Sequence, residues 1–169
     1  DYYLGLAQED YYTAGGEPPG EWMGTGAARL NVTGAVREKD FLSLFHGFDP
    51  QSGKALTQNS GKEKRRGAWD LTFSAPKSVS ALWAVSDSET RALIEAAQSE
   101  AVRASLAYLE AGLICRRGKD GVEMEGASVA IATFLHTTSR AQDPQLHTHA
   151  VLLNVGVRED GSTGTLEVK

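Results

Sequence analysis

Between residues 129 and 153 the chain carries two apolar runs that both meet histidine at one end, and this pairing limits the fold more than any other feature. The first run is Val129-Ala130-Ile131-Ala132-Thr133-Phe134-Leu135, closed by His136. The second opens on His147-Thr148-His149 and continues into Ala150-Val151-Leu152-Leu153. The polar residues between them, with Asp143-Pro144, read as a connecting loop. Alternate side chains of a strand leave the same face, so His147 and His149 point the same way. If the two strands pair as a hairpin, His136 approaches the other two. Three imidazole nitrogens then share one face and form an open metal site, with positions left for substrate oxygens. The competing reading is a set of core histidines satisfied by ordinary hydrogen bonds. A His-x-His pair alone does not choose between the two, and the third histidine at the end of the neighbouring strand favours the metal.

The rest of the chain supplies what such a pair of strands needs around it. With 169 residues it is long enough for a single domain, 1–169, with a real core. Trp69 to Ser74 alternates like a strand, with Leu71 and Phe73 on one face and Asp70 and Thr72 on the other. Helical patterns run over 24–30, over 38–48 with Phe41, Leu42, Leu44 and Phe45 on the apolar side, and over 77–85. A long helix follows to about Ala111, opened by a Ser86-Asp87-Ser88-Glu89 capping box. Leu93, Ile94, Ala97, Ala101, Ser105, Tyr108 and Leu109 are its expected packed face, with Gly112 just past its end. Residues 114–117 and 122–125 flank a Gly-Lys-Asp-Gly turn and read as a hairpin, and Asp160-Gly161 reads as another. Residues 1 to 25 are rich in Tyr, Gly and Pro and read mostly as loop, with room for a short helix near the start, and the basic stretch before Gly67 reads as a mobile surface loop. Helices over several antiparallel strands make the class α+β: a central antiparallel sheet with flanking helices.

Composition narrows the function classes. No apolar run approaches the roughly 18 residues of a membrane span, and no signal peptide is visible. The single cysteine, Cys115, forms no intrachain disulfide, fits a reducing compartment, and reads as a buried inert thiol. A formal net charge of −5 argues against a protein that coats nucleic acid. Basic residues do cluster at Lys62, Lys64, Arg65 and Arg66, and at Arg116, Arg117 and Lys119, as solvated loops or as phosphate contacts. The fourth histidine, His46, lies among apolar neighbours and is read as structural.

The remaining polar groups select among the reactions a three-histidine site can serve. Asp70 sits mid-strand, where Asp is disfavoured. It either faces water on a sheet edge, hydrogen-bonds a ligand histidine, or acts as a general base. Two tyrosine pairs, Tyr2-Tyr3 and Tyr11-Tyr12, stand nine residues apart near the start. Tyrosine attacks a phosphodiester as its phenolate, and its ordinary pKa of about 10 calls for an adjacent base or metal. Tyr, Asp and three His together make a coherent set for strand transfer on DNA or RNA by transesterification.

The blocks Tyr2-Tyr3…Tyr11-Tyr12, then Asp70-Leu71-Thr72-Phe73-Ser74-Ala75-Pro76-Lys77-Ser78-Val79-Ser80, then His136-Thr137-Thr138-Ser139-Arg140 and Asp143-Pro144-Gln145-Leu146-His147-Thr148-His149 resemble the conjugative relaxases of the TrwC/TraI (MobF) type, within the HUH endonucleases. The resemblance covers nearly the whole chain, in the family's block order. It implies a palm-like fold around a central antiparallel sheet, and metal-dependent nicking of one DNA strand at a plasmid transfer origin through a 5′-phosphotyrosine intermediate. It implies Tyr2 as the first nucleophile, Tyr11 as the second, and Asp70 as the acidic residue beside them. His136, His147 and His149 become the ligands of a divalent ion, Mg²⁺, Mn²⁺ or Zn²⁺. Lys77 and Arg140 lie beside these blocks and are expected to contact phosphates. The implied partners are single-stranded transfer-origin DNA and other transfer-complex proteins, in the bacterial cytoplasm. The family's strand ahead of the first tyrosine pair and its DNA-clamping segment are missing from these 169 residues, so the fold is expected to be the N-terminal part of a relaxase domain, incomplete at both ends. Two rivals remain: a metal-dependent hydrolase that activates water at the three histidines, and a non-catalytic module that binds single-stranded origin DNA.

Overall fold

The computed structural model describes residues 19–117, 123–139 and 141–167; Tyr2, Tyr3, Tyr11, Tyr12, Lys119 and Arg140 lie outside them. In chain order the elements are β1 (Glu21–Met23), α1 (Thr25–Arg29), α2 (Glu38–His46), β2 (Ala68–Ser74), α3 (Lys77–Val85), α4 (Ser88–Glu110), β3 (Ile114–Arg117), β4 (Glu123–Gly126), β5 (Ser128–Thr138), β6 (Pro144–Val157), β7 (Thr163–Gly164) and β8 (Leu166–Glu167). The main sheet runs β1-β5-β6-β2, with β7 also paired to β6, and every pairing is antiparallel. A smaller sheet, β4-β3-β8, holds the expected hairpin of β3 and β4. The α+β class read from the sequence is the one found.

Period-two alternation decides which residues of β5 and β6 meet which helix. Ala130, Ala132 and Phe134 of β5 and Val151, Leu153, Val155 and Val157 of β6 pack with Phe41 and Leu44 of α2. The alternate set, Val129 and Ile131 with Ala150 and Leu152, packs with Val102 and Leu106 of α4. The sheet is thus the middle layer of three, which is why its central strands read as continuous apolar runs. Gly47 ends α2 in the left-handed conformation, with φ 86°, a backbone state in which a Cβ is costly. The buried thiol of Cys115 lies against Gly156 in the second core, and burial pushes it up from its ordinary pKa.

Four expectations need correction. Residues 21–23, expected as loop, form β1, because their backbone completes the open edge of β5. The cap of α4 is Asp87 and not Ser86: the Asp87 carboxylate accepts from the Thr90 amide at 2.8 Å, while the Ser86 hydroxyl donates back to Leu82. The packed face of α4 is rotated from the expected one. Leu93 and Tyr108 are 67% and 87% exposed, whereas Val102 and Leu106 are buried. Polar residues take the inner positions nearer the helix start, where Glu95 accepts from the Trp83 indole and Gln98 donates to the Phe73 carbonyl. Hydrophobicity alone missed this face because half of it is held by hydrogen bonds.

The fourth concerns the basic loop before Gly67, which is tied down. Arg65 turns inward and donates to Phe45 O, Thr57 Oγ1, Asn59 Oδ1 and Asn154 O. Arg66 lies over the Trp69 ring. The second basic cluster is also engaged, with Arg116 on Glu167 and Arg117 on Glu125 and Asp160. Among the described residues no helix is long and apolar enough to cross a membrane.

Candidate metal centre

The histidines meet because of register. His136 on β5 pairs directly with His147 on β6, and His149 lies two residues further along, beside Phe134 on one flank and Thr72 on the other. All three leave the face of the sheet that carries Ala132 and Val151. Their ring centres form a near-equilateral triangle, 5.2 Å between His136 and His147, 5.3 Å between His136 and His149, and 5.2 Å between His147 and His149. The fourth histidine, His46, is elsewhere, at the exposed end of α2 against Phe45.

Hydrogen bonds outside the triangle set the tautomers of two rings. Asp70, on β2, points to the same face as the histidines and meets His149 Nδ1 at 2.9 and 3.1 Å. His147 Nδ1 lies 2.8 Å from the Gln145 carbonyl. A carbonyl oxygen only accepts, and an ionised carboxylate only accepts, so in both rings Nδ1 carries the proton. The lone pair of each neutral ring is then on Nε2. A ligand histidine held by a carboxylate or a backbone carbonyl in this way has its ring orientation fixed and its basicity raised. The Asp70 and His149 side chains are 13% and 15% exposed, so their pairing is mostly shielded from water. Thr72 Oγ1 stands 3.5 Å from the same nitrogen of His149.

The donor set fits a divalent cation. An ion about 2.0–2.1 Å from three imidazole nitrogens in tetrahedral array keeps the ring centres roughly 5 Å apart, the spacing found. Among the described residues no group of three His, Cys, Asp or Glu side chains meets the geometry of a metal site as it stands, and the fit is one of donor type and ring spacing.

Of the residues singled out in the sequence, His136, His147, His149 and Asp70 are brought together. Lys77 opens α3, and its ammonium donates to the Pro144 carbonyl at 2.9 Å, at the mouth of the same strand. Tyr2, Tyr11 and Arg140 fall outside the described residues. One participant was not read from the sequence: Gln145 acts through its backbone carbonyl, which leaves no side-chain signature.

The family model described as TrwC relaxase matches residues 1–169. Two curated proteins, the multifunctional conjugation protein TraI of Escherichia coli and that of Escherichia coli strain K12, are each 38% identical over 163 residues, covering 94% of this chain and 9% of theirs. The metal-bound structure of the conjugative relaxase TrwC in complex with oriT DNA aligns with a TM-score of 0.81 at 36% identity, over 98% of this chain and 58% of that one. A copper-bound complex of TrwC with oriT DNA aligns with a TM-score of 0.76 at 36% identity, over 98% of this chain and 56% of that one.

Proposed function

Because the chain belongs to the TrwC relaxase family, we propose that it nicks one strand of a plasmid transfer origin and holds the cut end on tyrosine. The observation that carries this reading is the triangle of His136, His147 and His149, two of whose rings are proton-locked at Nδ1 so that Nε2 is left to bind. These three residues would hold a divalent ion, in keeping with the metal-bound and copper-bound states of TrwC. When bound, the ion supplies positive charge against the scissile phosphate.

The chain's own residues do the rest. The Tyr2 phenol oxygen attacks phosphorus and forms a 5′-phosphotyrosine ester. The bond from phosphorus to the 3′ oxygen breaks, and that oxygen leaves as a 3′ hydroxyl with a proton. The ester conserves the phosphodiester bond, so a 3′ hydroxyl can later attack it and rejoin the strand. Tyr11 serves a second transfer, with the first end still held. Asp70 orients His149. Lys77 and Arg140 contact phosphates, and Lys77 can do so while bonded to Pro144, because an ammonium has three N–H donors. The partners are single-stranded transfer-origin DNA and other proteins of the transfer complex, in the bacterial cytoplasm.

The test is incubation with single-stranded transfer-origin DNA and Mn²⁺, followed by a denaturing gel. A covalent protein–DNA adduct is expected, mapped by mass spectrometry to Tyr2, absent in Tyr2→Phe and retained in Tyr11→Phe. Cut DNA without an adduct would instead mark a hydrolase, and binding without a cut a DNA-binding module.

A further inference from the structure

The first residues of β6 are held by something other than the sheet. Past the pair His136 and His147 the register of β5 and β6 slips by one, and the next pair is Thr138 with Pro144, so Gln145 and Leu146 together stand opposite Thr137. Such a bulge takes backbone groups out of the ladder and re-aims them. On the opposite edge of β6, next to the last β2 pair Ser74 and His147, the corner between β2 and α3 binds the same stretch. The Ala75 amide donates to the Leu146 carbonyl at 2.9 Å. The Lys77 ammonium donates to the Pro144 carbonyl. Between these two, the Ser80 hydroxyl accepts from the Leu146 amide at 3.0 Å. Ser80 is 1% exposed, and its own proton faces the Pro76 carbonyl at 3.5 Å.

The Leu146 amide and the Gln145 carbonyl belong to one peptide unit, which is planar and turns as a body. Ser80 grips one end of that plane. The other end accepts from His147 Nδ1 at 2.8 Å. We propose that Ser80 is a positioning residue for the histidine triangle: by fixing the 145–146 peptide it fixes the His147 ring in the tautomer that leaves Nε2 for the ion. Its effect on His147 passes entirely through the backbone, and it touches neither DNA nor the ion. The inference rests on the reading of the triangle as a metal centre, and it extends that centre to the far side of β6, into helix α3.

The experiment is Mn²⁺ titration of the chain by calorimetry, with ¹⁵N spectra of the histidine rings in the metal-free state. Ser80→Ala is expected to lower Mn²⁺ affinity by about tenfold or more, the scale on which outer partners of ligand histidines act. It is also expected to shift the His147 ring away from its Nδ1–H form, with His149, locked by Asp70, unmoved. Ser86→Ala removes a hydroxyl from the other end of the same helix and should leave both readouts as in the wild type. Ser80→Cys keeps the volume and weakens the acceptor, so it decides the matter if Ser80→Ala does not fold. A folded Ser80 variant with wild-type affinity and an unchanged His147 tautomer overturns the proposal. If the wild-type chain takes up no Mn²⁺ at all, the metal reading fails, and the His147 tautomer in the two Ser80 variants alone decides whether the clamp exists.

Discussion

From Ala150 to Val157 every residue of β6 is buried, whereas from Leu146 to His149 buried and half-open residues alternate. One strand thus has two kinds of support. Its second half lies between α2 and α4, and apart from Asn154, which bonds to Arg66 and Leu166, its side chains are apolar and held by dispersion and burial. Its first half packs Leu146 and Thr148 on one face only. The other face carries the histidines, and there position is set by the hydrogen bonds that His149 and His147 donate to the Asp70 carboxylate and the Gln145 carbonyl. A ligand triangle cannot be both sealed in a core and open to a substrate phosphate. The chain resolves this by anchoring the strand at one end and displaying it at the other.

The sharpest way to break that division is to compare Leu153→Ala with His147→Ala. Leu153 is fully buried among α2 contacts, and its truncation should cost about 2–5 kcal/mol in a urea unfolding series. His147→Ala should cost about 1 kcal/mol, the net worth of the hydrogen bond it loses, while removing Mn²⁺ binding by well over tenfold in calorimetry. Equal losses of stability would mean the two halves are not separately supported. Asp70→Asn keeps the shape beside His149 and removes the charge. Nicking should slow by about 10–100-fold, with single-strand binding nearly unchanged; a normal nicking rate would reduce Asp70 to a structural part. The smallest effect is expected at the mouth of β6. Lys77→Ala should lower the slope of log affinity against log salt by roughly 0.7, the share of one phosphate contact on a single strand. An identical slope would leave Lys77 only its bond to Pro144.

The same division explains what could be read in advance. The buried half of β6 and its partner β5 were legible because apolar runs of that length bounded by polar loops have few other uses. His147 and His149 were legible on one face from strand parity, His136 from the expected pairing of the two strands, and Asp70's place beside them from the family resemblance, since a mid-strand carboxylate alone left an edge facing water open. The clamp around Gln145 was not legible, since a bulge is a property of two strands in register and leaves no mark on either alone. The inner face of α4 misled for a related reason: Glu95 and Gln98 face inward because Trp83 and Phe73 offer them partners, and those partners lie elsewhere in the chain. The loop before Gly67 looked mobile by composition, yet Arg65 finds four acceptors on three different segments.

Anomalous scattering from crystals soaked in Mn²⁺ tests most directly whether the open end of β6 is a metal centre. A single strong peak within about 2–2.3 Å of Nε2 of His136, His147 and His149 is expected, with the Nδ1 bonds to Gln145 and Asp70 kept. A peak at another cluster of side chains, or none in crystals whose three rings keep their triangle, would contradict it.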